Sequence, residues 1–139
     1  MEHLNSYIST VIAMPAKSHA IGACTISTVN ASGGYDRARF VIALGAFGTN
    51  AVASFSVTHA ATASATYSLI SSSATDAIQT ASAGGVIVID VPVSGSKPFL
   101  RLKGTAATGT VLAGAICDLY KGSRALPPLT SNMADYVVA

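Results

Sequence analysis

The residues that could do acid-base or nucleophilic chemistry include the histidines His3, His19 and His59, the aspartates Asp36, Asp76, Asp90 and Asp118, and the cysteines Cys24 and Cys117. The histidines show neither an H-E-x-x-H pair nor another metal-ligand spacing, so they make no recognisable zinc site. His59 closes a stretch of strand-like alternation and reads as an exposed strand-end residue. The aspartates are isolated in sequence, and two of them would have to meet across a sheet to form a glycosidase dyad. Serine is abundant, but "VSGSK" lacks the first glycine and the strand-to-helix setting of a nucleophile elbow. "GTAATGT" is not a phosphate loop, because no G-K-[ST] follows it. "NAS" at 30–32 is a glycosylation sequon in form, which matters only in a secreted chain. The expectation is a protein that is not an enzyme and that carries no catalytic residue, cofactor, metal or small-molecule substrate.

What the chain does present is unusual charge economy. Of 139 residues, 50% are hydrophobic and 10% charged, with a net charge of +2, against roughly 25% charged in an ordinary soluble domain. A surface so poor in charge is weakly protected against association, which suggests that much of it is covered in the working state. Eight Lys and Arg scattered along the chain form no basic stripe, so nucleic acid is not the expected partner. Two pairs stand out: Arg37 with Arg39, and Arg101 with Lys103. On a strand, residues two apart share a face, and the planar fork of arginine suits carboxylates. These four are the candidate contacts to acidic groups on a partner, the alternative being a solvated face with partners such as Asp36 and Asp90 within the chain.

The cysteines lie far apart and outside any C-x-x-C or Cys/His cluster, and read as free, buried thiols of a chain made in a reducing cytosol. No run reaches the ~18 apolar residues of a membrane helix. "MEHLNSYISTVIAMPAK" has the look of a signal peptide, yet no Lys or Arg precedes its apolar part and Ser6, Ser9 and Thr10 interrupt it, so it reads as part of the mature chain.

The elements that would position these residues are strands. Period-two segments run over 18–29, 35–47, 51–59, 64–70, 76–80, 86–93, 97–106 and 110–120, separated by turn signals at "NASGG", "GTN", "SSSAT", "SAGG", "SGSKP" and "TG". In "VIVIDVPV", Ile87, Ile89, Val91 and Val93 point one way and Val86, Val88, Asp90 and Pro92 the other. Pro92 belongs at an edge or strand end. The Ala/Ser/Thr-rich tract 60–84 reads as thin strands whose small side chains allow close packing. Eight such strands predict an all-β, single-domain sandwich or jelly roll of antiparallel strands over 18–120. An N-terminal arm (1–17) and a C-terminal tail (121–139) flank it. The arm carries Leu4, Tyr7, Ile8, Val11 and Ile12 at the spacing of one helix face, while "YISTVI" is also rich in strand formers, and Pro15 would end either one. The tail carries Leu129, Met133, Tyr136 and Val137. Apolar termini of this kind suggest contacts between subunits, the alternative being ends that fold back over this chain's own sheet edges.

"YDRARFVIALGAFGTNAVASFSV", followed by "GGVIVIDVPVSGSKPFLRLKGTAATGTVLAGAICDLYKGSRALP", resembles a pattern in small head proteins of tailed bacteriophages. The elements are Tyr35-Asp36-Arg37 entering an apolar strand, an aliphatic strand at 86–93, Phe99-Leu100-Arg101-Leu102, and a strand of small residues leading to a basic, Pro-containing tail at 111–128. The resemblance covers roughly 35–128 and is that of a capsid cement, or decoration, protein of jelly-roll type. It implies a virion protein made in the host cytoplasm that binds the outside of the head and bridges major capsid protein subunits. Its expected partners are the major capsid protein and itself, as a homodimer or, second, a trimer, with neither membrane nor nucleic acid. The alternative is a carbohydrate-binding sandwich, which the lack of Trp and 6% aromatics disfavour.

Overall fold

The computed structural model describes residues 8–20, 22–23, 27–75, 78–79, 85–121 and 133–139. Cys24, Asp76, Leu4, Tyr7 and Leu129 fall outside them. Eleven strands are present among the described residues: β1 (Ile8–His19), β2 (Gly22–Ala23), β3 (Val29–Asn30), β4 (Arg37–Phe47), β5 (Val52–Ala60), β6 (Ser68–Leu69), β7 (Ile78–Gln79), β8 (Val86–Pro92), β9 (Phe99–Ala107), β10 (Val111–Tyr120) and β11 (Met133–Val138).

They form two sheets. Sheet A has the order β1-β10-β4-β8-β11, and sheet B the order β2-β9-β5-β6, with β3 also on β9 and β7 also on β5. The pairings nest from the outside inwards: β1 with β10, β2 and β3 with β9, β4 with β8, β5 with β6 and β7, all antiparallel. A long antiparallel ribbon folded over so that its two halves fall into opposite sheets gives this order, and that is a jelly roll. β11 stands outside the ribbon and pairs with β8 in parallel, the one departure from the antiparallel pattern among the described strands.

Alternation builds the core. Ala38, Phe40, Ile42 and Leu44 of β4, Ile87, Ile89 and Val91 of β8, Leu100 and Leu102 of β9, and Val111, Ala113, Ala115, Cys117 and Leu119 of β10 all face inward and are buried. Each of the large ones contributes about 1.5–3 kcal/mol through burial. The turns use the residues they need: Asn50, in the β4–β5 turn, holds a left-handed φ of 56° that asparagine tolerates better than most residues.

Three expectations are corrected. The chain does not run as one strand over 18–29. It remains in β1 to His19, then crosses to sheet B as the short β2 and β3, because the ribbon must change sheets there. Pro15 does not end β1. Between Met14↔Ala115 and Lys17↔Ala113 the register slips by one, and Pro15 sits in that bulge, where its missing N–H costs no ladder bond. The 64–70 strand is reduced to Ser68–Leu69, and of 76–80 the described strand is Ile78–Gln79.

Ser73 and Thr75 account for the missing length. Along the side of β5 away from β9, β7 covers Val52 and Ala53 and β6 covers Thr58 and His59. Between them the N–H of Phe55 donates to Thr75 Oγ1 (3.1 Å) and that of Val57 to Ser73 Oγ (3.1 Å). Ser73 Oγ in turn donates to the Ile70 carbonyl (2.8 Å). Hydroxyls, together with the Ile70 and Thr75 N–H groups donating to the Val57 and Phe55 carbonyls, thus take the place of a continuous strand along this part of β5.

Candidate functional site: two opposite faces

The two cationic pairs lie on opposite sides of the sandwich. Since Ala38 and Phe40 point into the core, Arg37 and Arg39 occupy the outer face of sheet A. Since Leu100 and Leu102 do the same, Arg101 and Lys103 occupy the outer face of sheet B. Each pair shares a face, as two-residue spacing requires, but the four do not converge on one patch.

Arg37 is engaged within the chain. Its Nε donates to Asp90 Oδ1 (2.8 Å), and Tyr120 OH donates to Asp90 Oδ2 (2.6 Å). Arg37 Nη2 reaches the main-chain oxygen of Ala139 (3.2 Å), while Ala139 N–H donates to the Asp90 carbonyl (2.9 Å). Burial works against the charge on Arg37, but the hydrogen bond and Coulomb attraction of Asp90, with a contribution from Tyr120, outweigh it and raise its pKa. One ion pair therefore ties β4, β8, β10 and β11 together. Arg39, one step along the same face, is 8% exposed, and its Nε and Nη2 have no hydrogen-bond partner among the described residues.

Arg101 is held from two sides. Its guanidinium carbon lies 4.1 Å from the Tyr67 ring centroid, a cation-π contact, and Nε donates to Thr28 Oγ1 (2.9 Å). Lys103 is exposed. It borders, with Ser54, Ser56, Thr75 and Thr105, a shallow cavity of about 320 Å³.

The larger feature is one that sequence reasoning missed. On the outer face of sheet A, β1, β10 and β4 frame a groove of about 740 Å³ whose lining includes Ile12, Pro15, Val41, Ala43, Gly114 and Ile116. The floor is low because it is made of small residues. A Cβ on Gly114 would come within 2.8 Å of Ala16 Cα, and one on Gly45 within 2.7 Å of the Leu112 side chain. The rim stands high: Ile12 is 64% exposed, Leu112 43% and Ile116 41%. A signal was present in "VLAGAIC", where Leu112 and Ile116 fall in the opposite phase to the core-facing residues. Apolar residues on both faces of a strand indicate that both faces meet something.

Of the terminal residues singled out, Ile8, Val11 and Ile12 lie on β1, which pairs with β10 of the same chain, and Met133, Tyr136 and Val137 lie on β11, which pairs with β8. Val11 and Val137 pack against the core. Among the described residues no three His, Cys, Asp or Glu side chains come together to hold a metal. His19 Nε2 lies 3.1 Å from the Ala113 carbonyl. Cys117 is unbridged and buried, and burial, reinforced by Asp118 and Asp90, pushes its thiol pKa far up, which leaves it unreactive.

No family model matches the chain, and no curated protein matches it. Among solved structures, a chain in the structure of infectious bursal disease virus, Gx strain, superposes with a TM-score of 0.52 at 12% identity, over 85% of this chain and 34% of that one. One in the structure of the Gt strain gives 0.51 at 7% identity, over 84% and 32%. This chain therefore spans about a third of the length of those virus chains. The xylanase 10B CBM22-1–GH10 modules of Clostridium thermocellum, complexed with xylohexaose, give a TM-score of 0.43 at 12% identity, over 73% and 20%, too loose a match to bear on function. At these identities the likeness to the virus chains is one of fold, an all-β sandwich of jelly-roll type.

Proposed function

We propose that the chain is a structural virion protein, a capsid cement protein that binds the outside of a phage head and bridges neighbouring major capsid protein subunits. The observation that carries this reading is the exposed apolar rim of Ile12, Leu112 and Ile116 around a floor of glycine and alanine, in a chain with only 10% charged residues. Such a face gains by being covered, at roughly 25 cal/mol per Å² of apolar area. Repetition over a symmetric shell turns a modest contact per copy into a large resistance to opening. No reacting group is needed for that task. The jelly-roll likeness to chains in virus structures supports the same reading, as does the resemblance of residues 35–128 to phage head proteins.

Self-association enters through β11. The β11–β8 pairing can equally be made between two copies, and a reciprocal exchange closes a homodimer, with a trimer as the next possibility. A chain ending at residue 132 then sediments as a smaller species than the full chain. Equal sedimentation of the two removes the exchange. A glycan-binding role has less support, since one face of the Tyr67 ring is covered by Arg101.

The deciding experiment is co-sedimentation with expanded, undecorated phage heads. The full chain pellets with the heads, and Ile116→Glu, which places a charge on the rim without touching the core, does not. Failure of the full chain to pellet, or retention of binding by Ile116→Glu, overturns the reading.

A further inference from the structure

Among the described residues the acidic side chains are confined to one sheet, while cations lie on both. The acidic side chains among the described residues are Asp36, Asp90, Asp118 and Asp135. Asp90, Asp118 and Asp135 lie on β8, β10 and β11, and Asp36 immediately precedes β4, so all four belong to sheet A or its margin. Lys97, Arg101 and Lys103 lie on β9 or the turn leading into it, and no acid among the described residues accompanies them on sheet B.

The site is rich in donors. Ser54 Oγ and Thr105 Oγ1 are 2.7 Å apart. One hydroxyl donates to the other, so the accepting hydroxyl keeps a proton to offer an incoming group. Beside them Lys103 is exposed, and its ammonium has no partner among the described residues. Arg101 uses Nε on Thr28 and Nη2 on the Ala63 carbonyl (3.5 Å), leaving Nη1 without one among the described residues. Its stacking on Tyr67 fixes the guanidinium in advance, which lowers the ordering cost of a further bond. Two cations on one face, one held in place and one exposed, with hydroxyl donors between the strands, match a group with several negatively charged acceptor oxygens.

We propose that the outer face of sheet B docks a carboxylate-bearing segment of a protein partner, with one carboxylate on Lys103 in the Ser54, Ser56 and Thr105 cavity and another on Arg101. Only the identification of that partner with a capsid subunit rests on the cement reading. The chemistry of the site does not. With an apolar groove on sheet A and a carboxylate-binding face on sheet B, the molecule has two unlike docking surfaces on opposite sides, as a bridge between two subunits requires.

The test uses a fluorescent poly-L-glutamate peptide and the full chain, with binding followed by anisotropy at low and physiological salt. Lys103→Glu and Lys17→Glu change the net charge equally, but Lys17 is exposed on β1 of sheet A. Lys103→Glu weakens binding at least about tenfold, Lys17→Glu by less than about twofold, and Lys103→Gln falls between them. Equal effects of the two charge reversals, or no binding by the unmodified chain, overturn the proposal. Tighter, Lys103-dependent binding of a heparin fragment or of single-stranded DNA also overturns it, by assigning the face to another polyanion. Peptide binding without capture by phage heads leaves this site standing and removes only the cement reading.

Discussion

Asp90 Oδ1 accepts a hydrogen bond from Arg37 Nε at 2.8 Å, and the Asp90 side chain has no exposure to solvent while that of Arg37 retains 11%. A carboxylate buried to this extent is tolerable only with its oxygens satisfied, and here the second oxygen is taken by Tyr120. The pair sits where β11 joins the sheet, so the electrostatics of the interior and the attachment of the last strand are one arrangement.

Removing one partner should therefore cost far more than removing both. Asp90→Ala leaves a largely buried guanidinium uncompensated and is expected to lower stability by about 3–5 kcal/mol, whereas Arg37→Met with Asp90→Leu recovers most of that loss. Urea unfolding of the three chains checks it. A double variant no better than the single one would mean that the pair contributes through packing alone.

Ser73 makes a second, independent prediction. Ser73→Ala deprives the Val57 N–H of its acceptor inside the structure, at a cost of about 1–3 kcal/mol. The effect is local: amide exchange at Val57 should accelerate much more than at Leu102, which lies on the other side of the β5–β9 ladder. Uniform acceleration along β5 would show that the hydroxyl is not what seals this edge.

That edge also shows what sequence reading can and cannot reach. The phases of β4, β8, β9 and β10 were legible because each carries an unbroken alternation, such as Phe40, Ile42 and Leu44 against Val41 and Ala43. Turn residues marked where the strands stop. β1 read as an arm of open conformation because its register shifts, between Ile12 and Met14 and between Met14 and Lys17, break the phase and leave strand and helix periods unresolved. The parallel addition of β11 to β8 leaves no local mark at all, since pairing partners are chosen by the whole chain. For the same reason Arg37 with Arg39, and Arg101 with Lys103, could be assigned to common faces but not to opposite sheets. The groove depends on Gly114 facing Ala16 across a bulge, a relationship between residues 98 positions apart in numbering.

Gly114 and Gly45 should respond differently to the same substitution. A Cβ on Gly114 meets backbone, the Ala16 Cα at 2.8 Å, but one on Gly45 meets the side chain of Leu112 at 2.7 Å, which is 43% exposed and has room to swing away. Gly114→Ala is expected to cost about 1–3 kcal/mol, and Gly45→Ala less than half of that. Comparing their thermal midpoints decides the point, and equal losses would show that β1 yields as readily as a side chain does.

The pH dependence of stability is expected to carry the mark of His59. Its Nδ1 is buried without a partner among the described residues, and burial, with Lys97 adding repulsion, lowers its pKa from the ordinary value. In the unfolded chain this histidine takes up a proton near pH ~6.5, whereas in the folded chain it resists until a lower pH. Between those two points the unfolded state binds more protons, so stability falls as the pH drops through that window and rises as it climbs back. Above it His59 is neutral in both states and contributes no slope. His59→Gln cannot be protonated and should flatten this part of the profile. Urea midpoints measured from about pH 8 down to pH 5 are therefore expected to decline for the unmodified chain below roughly 6.5 and to decline less for His59→Gln. Superimposable profiles would place the titrating group elsewhere.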